Sequence, residues 1–118
     1  MQKLISWVEI PAVDFDRAVE FYNSVFKLNL KKEDFGQEKM ACLPNGEGAI
    51  SYAPNFKPSK NGIMVSLTVA DTIEATIQRI ETNGGNILQS KTKIEAEGRD
   101  YFAICTDSEG NKIGIYGK

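Results

Sequence analysis

Glu9 lies in the alternating run Leu4–Ile10, where strand periodicity turns Leu4, Ser6, Val8 and Ile10 to one side and Ile5, Trp7 and Glu9 to the other. A carboxylate beside a large aromatic ring can serve as a general base or as one oxygen donor to a hard cation. No second acid or base accompanies it in the sequence pattern. A place at a rim in water, or an ion pair with Lys112, therefore competes with catalysis as its role. The 118 residues include no histidine. Ser24, Ser51, Ser66 and Ser108 have no imidazole to activate them, which excludes a Ser-His-Asp arrangement. Cys42 and Cys105 lack the same partner and form no C-x-x-C pair. Gly46, Gly48, Gly84, Gly85 and Gly110 fall in turns and build neither a G-x-G-x-x-G nor a Walker loop.

The remaining chemistry is contact rather than bond-making. Trp7, Glu9, Ser51, Met64, Ser66 and Tyr116 form the candidate ligand-binding set, and Glu9 is the only catalytic candidate. Trp7 reads equally as a ring that fills space and as a platform for a ligand. Met64 suits adaptable packing. Tyr116 combines packing with a hydroxyl that can reach a ligand.

The elements that must position these residues occur twice. LISWVEIPAVDFDRAVEFYNSVF, from Leu4 to Phe26, is echoed by GIMVSLTVADTIEATIQRIETNGG, from Gly62 to Gly85. Trp7 aligns with Met64 and Asp14 with Asp71 at an offset of 57, whereas the helix triads Phe15/Val19/Tyr22 and Ile73/Ile77/Ile80 align at 58. Such self-similarity implies an architecture of repeated units. The first unit reads as a strand to Ile10, a helix capped by Asp14, and strands over 29–35, 39–43 and 49–53. The second reads as strand 63–69, helix 72–82 opened by Asp71, and strands 87–94, 100–106 and 112–116. Pro54–Asn61 is the linker, giving one domain over 1–118 with modules 1–57 and 58–118. In each βαβββ unit the helix covers one sheet face and leaves the other concave. The expected fold class is α+β, two such modules forming curved mixed sheets around a cup. Ile5, Trp7, Glu9, Ala49, Ser51, Ala53, Met64, Ser66, Thr68, Lys112, Gly114 and Tyr116 should line it.

Composition narrows the partners. Fourteen basic and 16 acidic residues nearly cancel and are scattered, without a nucleic-acid footprint or a polybasic membrane patch. Arg17, Lys27, Lys31 and Lys32 read as solvated. MQKLISWVEIP has no apolar stretch long enough for a signal segment, and no later run spans a bilayer. Cys42 and Cys105, both in apolar runs, are expected to be buried free thiols in a reducing cytoplasm.

WVEIPAVDFDRAVEFYNSVF, the second opening IMVSLTVAD and the terminal DSEGNKIGIY (Asp107–Tyr116) together resemble the landmarks of the vicinal oxygen chelate superfamily, the glyoxalase/bleomycin-resistance/extradiol-dioxygenase group. The resemblance implies the paired-module fold and, in metal-dependent members, four metal ligands. These positions fall on Trp7, on Ala49 or Ser51, on Met64 and on Gly114. None supplies imidazole, thiolate or carboxylate, so no metal and no cofactor are expected. The implied function is metal-free capture of a small, partly aromatic organic ligand. The alternative is a glyoxalase- or dioxygenase-like enzyme using Glu9 as base or an unrecognised metal site. Two-module members commonly pair, and edge strands and apolar faces left uncovered add a physical reason to expect a homodimer.

Overall fold

The computed structural model describes residues 3–118. Eight strands and two α-helices follow the duplicated order: β1 Val8–Pro11, α1 Phe15–Phe26, β2 Lys32–Asp34, β3 Lys39–Cys42, β4 Gly48–Tyr52, β5 Val65–Thr68, α2 Ile73–Thr82, β6 Asn86–Lys93, β7 Tyr101–Thr106 and β8 Lys112–Gly117. They form two four-stranded mixed sheets, β1-β4-β3-β2 and β5-β8-β7-β6. In each, the first strand runs parallel to the last and the remaining pairings are antiparallel. Both β1 and β5 are sheet edges, and a cavity of about 450 Å³ lies between them, lined by Ile5 and Val8 on one side and Val65–Thr68 on the other.

Alternation sorts each sheet into two faces. Ile10, Ala41 and Ile50 share a row toward α1 and are buried, as are Ala103, Cys105, Ile113 and Ile115 toward α2. These rows and both helices form one apolar core. α1 fits its place because Phe15, Ala18, Val19, Tyr22, Val25 and Phe26 recur at helical spacing on the buried side. Asp14 caps it, accepting a hydrogen bond from the Arg17 N–H at 3.1 Å. Lys27, in the left-handed region at φ 55°, ends the helix. Gly48 has a tighter requirement: a Cβ there would collide with the Val8 carbonyl oxygen.

Several local expectations are corrected. The first strand begins at Val8 rather than Leu4, and β5 at Val65 rather than Ile63. The ladders begin with Val8 opposite Gly48 and with Val65 opposite Ile113. Thr72, not Asp71, caps α2, its Oγ1 accepting from the Ala75 N–H at 3.1 Å. The Asp71 carboxylate instead receives Arg79 (2.9 and 3.1 Å) and Lys27 (3.1 Å). Arg17 and Lys32 are likewise ion-paired rather than simply solvated, with Glu109 at 2.7 Å and Asp16 at 3.0 Å. Cys105 is buried as expected, whereas Cys42 is exposed. Its neighbour Ala41 takes the inward position, and alternation turns the thiol to the open face.

The C-terminal turn joins the modules. Tyr22 donates its hydroxyl to Asp107 at 2.6 Å, and Asn111 Nδ2 donates to Asp107 at 2.9 Å and to the Pro11 carbonyl at 2.8 Å. Glu109 accepts from the Val13 and Asp14 N–H groups at 2.9 and 2.7 Å and from Arg17. Arg79 Nε donates to the Val25 carbonyl at 2.9 Å, tying α2 to α1.

Candidate ligand-binding face

The sheet faces turned away from the helices carry two hollows, one per module, with no lining residue in common. The first, of about 420 Å³, is lined by Glu9, Glu38, Lys39, Met40, Ser51, Tyr52, Ala53 and Phe56. Register brings its residues together: Glu9 pairs with Ala49, and Ser51 stands between Pro11 and Met40. Ser51 is 3% exposed, and its Oγ has no hydrogen-bond partner among the described residues. A buried hydroxyl left in that condition costs about 1–3 kcal/mol. Glu9 is exposed, and among the described residues it forms no ion pair with Lys112.

The second hollow, of about 360 Å³, is lined by Met64, Ser66, Thr68, Ile94, Arg99, Phe102, Gly114 and Tyr116. Ser66 opposes Gly114, while Thr68, Tyr116 and Phe102 share the next row. The Tyr116 hydroxyl accepts the Asp100 N–H at 3.4 Å, and the Arg99 guanidinium carbon lies 5.2 Å from the Tyr116 ring centre. Tyr116 thus faces the site with its ring.

Of the six sequence-selected residues, Glu9 and Ser51 line the first hollow, and Met64, Ser66 and Tyr116 the second. Trp7 lines neither; 42% exposed, it stands directly before β1 as Met64 stands before β5. Sequence reasoning missed Met40, Phe56, Ile94, Arg99 and Phe102. Alternation in β3 and β7 signals Met40 and Phe102, since they flank Ala41 and Ala103, which face the core. Phe56, Ile94 and Arg99 come from connecting segments with no periodic signal.

The positions that the resemblance assigns to metal ligands do not fit a metal. A Cβ on Gly114 would meet Ser66 Oγ at 2.6 Å and Met64 Cε at 3.6 Å, so the space a longer donor needs is already taken. No three His, Cys, Asp or Glu side chains converge on a metal-sized point among the described residues. Trp, Ser, Met and Gly do not constitute a donor set for zinc, nickel or iron.

Environment shifts several titratable groups. Burial and the adjacent Asp107 charge push the Cys105 thiol up to about 12. Burial and the same carboxylate raise Tyr22 well above its usual value. Arg79, with the Thr72 N–H and Lys27, holds the Asp71 carboxyl far below the usual carboxylate range. Burial works to raise Glu109, but hydrogen bonds from Arg17, the Asp14 N–H and Ser108 outweigh it and leave the group lowered.

Paired βαβββ modules, each with its helix on one sheet face, define a class of duplicated α+β domains. The chain belongs to the glyoxalase/bleomycin resistance protein/dioxygenase superfamily, whose model matches residues 4–115. A putative glyoxylase, CFP32, of Mycobacterium bovis is 25% identical over 118 residues, covering 94% of this chain and 44% of that protein. The chain therefore spans under half the length of that relative. A glyoxylase-like domain-containing protein of Didymella fabae is 29% identical over 120 residues, covering 94% and 91% of the two chains. A glyoxalase/bleomycin resistance protein/dioxygenase family enzyme of Burkholderia phytofirmans superposes with a TM-score of 0.69 at 18% identity, covering 94% and 95%, and shows the shared fold. No helix among the described residues is long and apolar enough to cross a membrane.

Proposed function

We propose that this chain captures a small, partly aromatic organic molecule on the face opposite its helices, without a transition metal and without turnover. The observation that carries this reading is the Ser51 hydroxyl, buried and unpartnered at the wall of a hollow. A binding site that offers an unsatisfied donor gains selectively from a ligand that completes it. Glu9 lines the same hollow as Ser51; Met64, Ser66 and Tyr116 offer a second contact surface in the other module's hollow, and Trp7 adds exposed aromatic surface directly before β1. The relatives' glyoxylase names favour the catalytic alternative with Glu9 as base; the donor set at the family's ligand positions argues against its metal-dependent form.

The assembly is a homodimer in this reading. Leu4 and Ile63 are 99% and 97% exposed, and Ile5, Trp7 and Met64 add apolar surface on the same two pre-strand segments. A second copy that covers them removes two edges at once. Light scattering should give about twice the 13.1 kDa chain mass at high micromolar concentration, and the chain mass itself would contradict it. Both cysteines are free, which supports a cytoplasmic location.

A thermal-shift screen of aromatic compounds, run with and without EDTA, tests the central reading. A ligand that prefers the native state raises the melting temperature equally in both conditions. Near-stoichiometric Zn, Ni or Fe after native purification, or a shift abolished by EDTA, would contradict it. Turnover that disappears in Glu9→Gln would establish the enzyme instead.

A further inference from the structure

The chain has three arginines. Arg17 forks onto Glu109, with Nε–Oε2 at 2.7 Å and a terminal nitrogen to Oε1 at 3.1 Å. Arg79 forks onto Asp71 at 2.9 and 3.1 Å. Arg99 differs. Among the described residues no carboxylate oxygen lies within 4.0 Å of its guanidinium, although Glu95, Glu97 and Asp100 belong to the same loop. Instead it borders the second hollow with its cation 5.2 Å from the Tyr116 ring centre. No acidic residue lines that hollow.

The loop fixes the Arg99 backbone, and the exposed side chain reaches over Tyr116. Lys93 Nζ donates to the Arg99 carbonyl at 2.7 Å, and the Ile94 N–H bonds the Asp100 carbonyl at 3.1 Å, closing the β6–β7 connection. Tyr116 is fixed in turn by the Asp100 N–H. An always-charged fork with free donors beside an aromatic ring matches one planar anion that presents two oxygens. The volume, about 360 Å³, is at the small end of the roughly 300–1,000 Å³ typical of ligand sites, suiting one or two rings.

We propose that the second hollow binds an aromatic carboxylate, its two oxygens forked onto Arg99 and its ring packed against Phe102, Tyr116 and Met64. The single guanidinium balances one negative charge, which selects a carboxylate over a phosphate dianion. The proposal rests on the small-molecule reading above and goes further by naming the ligand class and an anchor.

The test is calorimetric titration of the full chain with 2-naphthoate and with its neutral counterpart 2-naphthamide, each followed by amide NMR shifts. The naphthoate should bind about ten- to hundred-fold more tightly than the amide, the range expected when a charge-assisted hydrogen bond is gained. Resonances of Ser66, Phe102 and Tyr116 should move. Arg99→Gln should erase the difference while leaving the melting temperature unchanged, and Arg99→Lys should keep part of it. Equal binding of acid and amide at this hollow, unaffected by Arg99→Gln, would overturn the carboxylate proposal and leave small-molecule capture standing. Binding of neither probe at millimolar concentration, with neutral aromatics shifting the other hollow, would also overturn it alone. If no aromatic compound binds either hollow, both readings fall.

Discussion

The two hollows occupy equivalent places on duplicated frames, yet their linings differ in charge and in how far each is self-satisfied. The first carries two carboxylates, Glu9 and Glu38, with one ammonium, Lys39, and contains the orphaned Ser51 hydroxyl. The second carries one guanidinium and no acid, and its tyrosine hydroxyl is already occupied. The helices behind them diverge too: α1 buries Phe15, Ala18, Val19, Phe21, Tyr22, Val25 and Phe26, whereas α2 buries Ile73, Thr76 and Ile80. α1 is also held by the C-terminal turn through Tyr22, and its Phe21 ring packs close to Gly85. Repetition therefore sets the backbone frame, while the lining of each hollow is set residue by residue.

If the frames are held together by the 107–111 turn, removing its centre should disable both hollows at once. Asp107→Ala strands the buried Tyr22 hydroxyl and the Glu109 and Asn111 N–H groups, and should cost about 3–5 kcal/mol in urea unfolding. A loss under 1 kcal/mol would show that the modules are joined chiefly by apolar packing.

The hollows should separate when their serines are truncated. Ser51→Ala removes a hydroxyl that has no partner, so unliganded stability should hold or rise by up to about 1 kcal/mol, while ligand affinity falls. Ser66→Ala, at an exposed position, should change stability by less than about 0.5 kcal/mol. A clear stability loss in Ser51→Ala would mean that its hydroxyl is satisfied within the fold.

Cysteine labelling compares the open face of one module with the core of the other. Cys42 should react with one equivalent of a thiol reagent in the native state. Cys105, buried and pushed up to about 12, should react only after denaturation. Two fast equivalents would contradict the assigned faces.

The smallest effect is acid sensitivity. Asp71 and Glu109 are lowered in the folded state, so their contribution is present above the unfolded carboxylate values near about 4 and is lost as pH falls through the folded ones. Melting temperature should decline below about pH 4, and less steeply in Glu109→Gln. An unchanged slope in that variant would remove Glu109 from the account.

Much of the frame was readable in the sequence. The offset of 57 in the strands placed Trp7 and Met64 equivalently before β1 and β5, and the helix offset of 58 points from Asp14 to Thr72, the residue that caps α2. The choice of Asp71 followed residue type over register. Strand starts were not readable, because they depend on where each ladder begins, at Gly48 opposite Val8 and at Ile113 opposite Val65. Ion pairs such as Arg17–Glu109, 92 residues apart in sequence, depend on how the modules dock. Arg99 carried no periodic signal, being placed by hairpin closure.

The most direct measurement of the central claim is an amide NMR titration of EDTA-treated protein with the best aromatic ligand from the thermal-shift screen. The account predicts shifts without added metal in the lining of at least one hollow, Ser51 in the first or Ser66, Gly114 and Tyr116 in the second, and little change along the solvent side of α1 and α2. Shifts confined to the helices, or shifts that appear only after zinc or nickel is restored, would contradict it.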